Sequence, residues 1–290
     1  MSGAGPGQEE EQEREDRVNV NVEGQDQVED ATDIFDTSLS TLFSIPPIAF
    51  STSSPSSLYT YNPPPSSSNT RPIYLRLPQP PAKLYTTLQA QNLWLSAVFL
   101  ADSISTASIN LSGRIAELGA GAGLPGIVCC RNGLEVVSSD WGVVEVLDAI
   151  RDNFKRSCPE GNWNVVGHRW GTDPKPLLTA KPMGNGDEMK FDELLLADVL
   201  WVTDAHKALL DSIFSLLKHR GTAHVAAGLH TGRGPVERFI RAAEARGAST
   251  GPIKEVRWRA EGGWDDYVFN TTSSELEEER GVVVYFKLHI

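Results

Sequence analysis

From residue 84 onward the apolar and polar positions of the chain alternate between two rhythms. Over 84–104, Leu84, Leu88, Gln91/Asn92, Leu95, Val98/Phe99 and Ala101 fall at helical spacing with Trp94 among them, and predict one helix. A short apolar run at 114–118 reads as a strand, and 124–131 as the helix behind it. Strand-like runs recur at 134–139, 163–168, 191–197, 221–228, 253–260 and 282–289, with helical patterns at 143–157, 204–219 and 234–247 between them. That rhythm is the one a βαβ protein produces. The first five strands, separated by helices or crossovers, predict a parallel set. The last two are joined by 261–281, which has no helical pattern, and predict a terminal antiparallel pair. The expected fold class is α/β: a Rossmann-like seven-stranded sheet of five parallel strands plus that pair, in a single domain over 84–290 with an N-terminal extension.

The extension divides in two. Residues 1–32 are rich in Glu, Gln, Asp and Gly and poor in large apolar side chains, which predicts a disordered acidic tail. Residues 33–83 predict an arm. Ile34, Phe35, Leu39, Leu42, Phe43 and Phe50 suit an extended segment docked on the domain, and 51–70 is a Ser/Pro-rich tethering loop. Ile73, Leu75 and Leu77 then alternate with Tyr74 and Arg76 as an edge strand would.

Charge sharpens the division. The formal net charge is −12, and residues 1–36 hold twelve acids against Arg14 and Arg17, so the body is close to neutral. It lacks the overall basic balance that displaces counterions, and nucleic acid is not an expected partner. There is no run of about 18 apolar residues and no apolar core of a secretory leader near the N-terminus, so neither a membrane span nor an exported protein is expected. Cys129, Cys130 and Cys158 offer neither a disulfide framework nor metal-ligand spacing; the adjacent pair reads as small core residues. The expectation is a cytoplasmic monomer without a metal, the nucleus remaining open as a location.

The chemistry gathers at 114–126. Gly119, Gly121 and Gly123 fall at alternate positions after a strand that contains Glu117, and Pro125 sits where a helix begins. Alternate glycines let a ligand approach main-chain atoms, and the helix start adds free N–H groups. Gly121, Gly123 and Gly126 with Asp140 match a dinucleotide fingerprint; Glu117 with Gly119, Gly121 and Gly123 matches an S-adenosylmethionine site. The carboxylate favours the second, because it suits a ligand with a sulfonium and an ammonium and repels a pyrophosphate. Asp140, at the end of the next strand, is placed to accept from a ribose diol, and Trp141 to stack on adenine.

The run Glu117–Gly126, the strand end Ser138-Ser139-Asp140 and the segment Leu196-Ala197-Asp198-Val199-Leu200-Trp201 resemble the family 16 seven-β-strand methyltransferases, which include protein lysine methyltransferases and a nicotinamide N-methyltransferase-like branch. Asn92-Leu93-Trp94, Trp170-Gly171 and His230-Thr231-Gly232-Arg233 are similar to that branch. The resemblance implies a class I methyltransferase sheet and S-adenosylmethionine as cofactor, held by Trp94, Glu117, Gly119, Ala120, Gly121, Gly123, Asp140, Trp141, Trp170 and Ala197. It implies catalytic roles for Asp198, which would steer an amino acceptor, and Trp201, which would wall the acceptor site. The family carries Asp-x-x-Tyr there, so Trp201 lacks the hydroxyl that could receive a proton. His230 and Arg233 are expected within reach of the acceptor side, and His206 is expected at the surface of a helix start. Three functions stand: N-methylation of a protein lysine or N-terminus, N-methylation of a small nicotinamide-like amine, and a non-catalytic binding module. The expected partner is accordingly a methyl-acceptor protein or a small amine.

Overall fold

Arg114–Leu118 (β1), Glu135–Asp140 (β2), Trp163–Gly167 (β3), Phe191–Ala197 (β4) and Leu217–Gly228 (β5) form the parallel set in the computed structural model. Lys254–Trp258 (β6) and Val282–His289 (β7) extend the sheet, whose seven main strands run β6-β7-β5-β4-β1-β2-β3; two short strands not expected from the sequence, Trp264–Asp266 beyond β6 and Ser249–Thr250 against β7, bring it to nine. β7 is antiparallel to both β5 and β6. The structure describes residues 48–50, 57–181, 184–185, 189–259, 261–268 and 281–290. The hydrophobic arm residues before position 48 and the acidic tail lie outside them.

All five β1 residues are buried, as expected of a central strand covered on both faces. Helices Leu95–Ser105 (α1), Leu124–Arg131 (α2) and Val144–Ser157 (α3) supply one core, where Leu100, Ile127, Ile150 and Phe154 pack with Ile115 of β1. His206–Leu216 (α4) and Arg233–Glu244 (α5) supply the other, where Leu209, Ile213 and Phe239 pack with Ala116, Leu118 and Phe286. Successive β1 side chains thus point to opposite faces. Strand order reverses between β1 and β4, which opens a crevice at their carboxyl ends. Among the described residues, no helix is long and apolar enough to cross a membrane.

Four expectations are corrected. The helix over 84–104 is interrupted: Ala82–Leu84 and Tyr85–Leu88 are short turns, Gln89 takes a left-handed φ of 52°, and Asn92–Leu93 is extended and pairs with Ala49–Phe50 before α1 begins. The strand at 73–75 pairs with Tyr59–Tyr61 in its own two-stranded ribbon and does not edge the main sheet. Its neighbour Arg76 exchanges main-chain bonds with the Asn153 amide at 2.8 and 2.9 Å, which lays the ribbon along α3. Segment 261–281 opens with a strand, Trp264–Asp266, paired to β6. α4 ends at Leu216, because β5 starts at once and takes in residues 217–219, which were expected to be helical.

Asp102 of α1 joins these peripheral pieces. Its carboxylate accepts from the Tyr61 hydroxyl at 2.7 Å and from the Trp264 indole N–H at 2.8 Å. Asp102→Ala is expected to lower stability by about 2 kcal/mol, since it strands both donors. A shift in the urea midpoint at constant slope measures this.

Candidate functional site

The carboxyl ends of β1, β2 and β4 open into a cavity of about 410 Å³. Its floor is the turn after β1. Gly119 and Gly123 have φ of 70° and 78°, values that glycine adopts without strain. A side chain at Gly119 would also collide, its Cβ standing 2.7 Å from Val199 and 3.1 Å from Trp170. The Ala120 N–H donates to Ser139 O at 3.0 Å and the Gly123 N–H to Ala120 O at 2.8 Å, so the turn is held from beneath. Gly119, Ala120 and Gly121 line the cavity. Gly123 does not; it is the N-cap of α2.

Glu117 does not line the cavity either. It shares the α1–α3 side of β1 with Ile115, so its side chain lies beneath α2, 1% exposed. The Ser138 hydroxyl donates to Oε2 at 2.7 Å, and the Gly126 N–H also reaches the carboxylate. The same packing requires glycine at 126, where a Cβ would stand 2.6 Å from Glu117 Oε2. Burial pushes this carboxyl up to about 7, against the pull of the two donors.

Asp140 stands at the other side of the turn. Its Oδ2 accepts from the Gly121 N–H at 2.8 Å and its Oδ1 from the Trp141 N–H at 2.7 Å. Burial still raises its carboxyl to about 6. Each oxygen keeps a lone pair, enough for two adjacent hydroxyls. Trp141 and Trp170 flank it on the cavity wall, with the Arg169 guanidinium 5.0 Å from the Trp141 ring.

At the far end Ala197 closes β4 and Asp198 and Trp201 follow it, sharing the cavity wall with Trp94 at the start of α1. Asp198 has a φ of 57°; Asp and Asn are the non-glycine residues that best tolerate this. Its N–H is fixed on Ala226 O at 2.8 Å, and its Oδ1 accepts from the Gly228 N–H at 3.2 Å. His230 Nε2 lies 3.5 Å from the same oxygen, and the His230 ring packs against Trp94 with centroids 5.0 Å apart. Burial raises the Asp198 carboxyl above the ordinary range, while His230 and the Gly228 N–H counter it.

Ten of the twelve residues singled out from the sequence therefore meet in one cavity, all but Glu117 and Gly123. Arg233 is instead paired with Glu255 at 2.7 Å, and His206 is buried with Nε2 2.7 Å from Leu200 O. His168, Arg169 and Asn92, for which the sequence pattern indicates no role, also line the cavity. The first two immediately precede Trp170, and the third stands in the triplet ending at Trp94, so their proximity was visible while their direction was not.

The family described as lysine methyltransferase matches residues 85–245. The protein N-terminal and lysine N-methyltransferase EFM7 of Cryptococcus neoformans is 35% identical over 141 residues, 47% of this chain and 46% of that protein. Its namesake in Neurospora crassa is 33% identical over 149 residues, 48% and 52% respectively. The chain thus spans about half the length of these curated relatives. A TehB-like SAM-dependent methyltransferase from Corynebacterium glutamicum has a TM-score of 0.43 at 18% identity, covering 71% of this chain and 94% of that one.

Proposed function

We propose that this chain, which belongs to the lysine methyltransferase family through residues 85–245, is an S-adenosylmethionine-dependent N-methyltransferase acting on a primary amine of a protein, a lysine side chain or an N-terminus. One observation carries the reading: a single cavity joins the glycine turn and Asp140 to a buried carboxylate, Asp198, set with Trp94 and Trp201. The names of the relatives support a protein acceptor.

The residues present fit the cofactor. Asp140 keeps acceptor capacity for a ribose diol, Trp141 and Trp170 offer faces to an adenine, and Gly119–Gly121 leave main chain open to the methionine end. When bound, the cofactor supplies a methyl group on a cationic sulfur. The protein supplies placement, and positioning alone is worth effective molarities of order 10⁵ M or more. Trp94 and Trp201 suit an ammonium by cation–π attraction. Asp198 Oδ1 is engaged by Gly228, so Oδ2 is the atom to take a proton from that ammonium, and burial strengthens its hold on it.

Incubating the protein with a cell lysate and tritiated cofactor tests the proposal. Labelled protein bands are expected, and Asp140→Ala should abolish them by weakening cofactor affinity about 10- to 100-fold, since it removes the diol acceptor and strands two N–H groups. Counts confined to small molecules would redirect the reading to a small amine. Cofactor binding without incorporation would make the protein a binding module.

A further inference from the structure

Resting on the methyltransferase reading, we propose that the side-chain oxygen of Asn92 is a further binding group of the cavity, accepting an N–H from a primary ammonium, either the methionine end of the cofactor or the methyl acceptor itself. Asn92 is 4% exposed, lines the cavity, and its Oδ1 is buried without a hydrogen-bond partner. The rest of the residue is tied down. Its Nδ2 donates to Gln89 Oε1 at 2.8 Å, its main-chain N–H donates to Gln89 O at 3.3 Å, and its backbone is in register with Phe50. The amide plane is set by these bonds, and the oxygen is what remains for a ligand. Buried acceptors are nearly always satisfied, so this one calls for a donor from outside the chain.

The surroundings select the kind of donor. The cavity is lined by the carboxylates of Asp140, Asp198 and Asp204 against one guanidinium, Arg169, which stands over Trp141 beside Asp140. A cationic N–H is favoured over a neutral one in that field. The position of the segment agrees: Ala90 O approaches Gly121, where a Cβ would stand 3.9 Å away, and Trp94 packs on the His230 ring beside Asp198. Asn92 lies between these two along the chain and lines the same cavity. A neutral oxygen also suits the place, since it orients an ammonium without adding another buried charge.

The test compares Asn92→Leu and Asn92→Asp with the wild-type protein by calorimetry with S-adenosylhomocysteine and with methylthioadenosine, which lacks the amino-acid end, and by the KM of a peptide amine. Asn92→Leu is expected to weaken S-adenosylhomocysteine about tenfold and spare methylthioadenosine if the methionine ammonium is bound, or to raise the KM of the amine about tenfold with both affinities unchanged if the acceptor is bound. Asn92→Asp keeps an acceptor and should stay within about threefold of wild type in the affected quantity. Values for Asn92→Leu within about twofold of wild type throughout would overturn the proposal, as would equal losses for both nucleosides. If Asn92→Leu does not fold, Asn92→Ala takes its place, with the same tenfold loss expected and values within about twofold of wild type overturning the proposal. Wild-type protein that binds neither nucleoside overturns the methyltransferase reading itself, a result distinct from all of these.

Discussion

Asp198→Ala is expected to lower kcat/KM by about 10³-fold with little change in cofactor affinity, within the range over which a positioned acid or base contributes. The substitution removes the carboxylate and also a residue type suited to a φ of 57°. Asp198→Asn separates the two. Asparagine tolerates the left-handed backbone and can still accept from the Gly228 N–H, so the fold and Oδ1 contact survive while the negative charge and the proton site at Oδ2 are lost. Its expected loss is about 10²-fold, and steady-state kinetics on a peptide amine beside calorimetry with S-adenosylhomocysteine reads both quantities. Wild-type turnover in Asp198→Asn would remove the carboxylate from the reaction.

The second large effect concerns stability and pH. Glu117 titrates near 7 in the folded protein against an ordinary 4.5. The folded state therefore keeps a proton that the unfolded chain has released between those values, and stability falls as pH rises through the window. Ionising this carboxyl in place costs roughly 3 kcal/mol. Glu117→Gln escapes the cost while an amide oxygen remains for Ser138 and Gly126. Its stability relative to wild type is expected to rise by roughly 3 kcal/mol between pH about 4.5 and about 8, as measured by urea unfolding of the ligand-free protein at a series of pH values. Parallel stability curves would show that the carboxyl titrates as an exposed one does. Asp140, raised to about 6 by burial, acts in the same direction, whereas His168 and His206, lowered by burial, act in the opposite one. Comparing the variant with wild type isolates Glu117 from them.

The parallel sheet was legible because strands covered on both faces read as short apolar runs, and predicted and observed bounds coincide at Arg114–Leu118, Phe191–Ala197 and Val282–His289. The interruption near Gln89 was not. Leu88 and Leu95 stand seven residues apart, so the helical period runs unbroken across the kink, and no glycine or proline marks the left-handed residue. The site was legible where a residue type and a strand end coincide, as at Asp140 and Asp198. Glu117 shows the limit: its spacing from the glycines marked the turn, but its side of β1 follows from alternation with Ile115, and that puts it under the helix. His168 and Asn92 come to the cavity on segments whose direction is set by tertiary contacts.

The position of β7 bears on how the molecule is made. Val282–His289 lies between β5 and β6 and is also joined by Ser249–Thr250. A chain growing from its N-terminus on a ribosome has β5 with an open edge, and β6 with no place in the sheet, until residues 282–289 emerge. During that interval the exposed edge of β5 is free to pair with another nascent chain, and a loss of those eight residues would remove an interior strand of the sheet, cutting β6 and its partner Trp264–Asp266 off from β5.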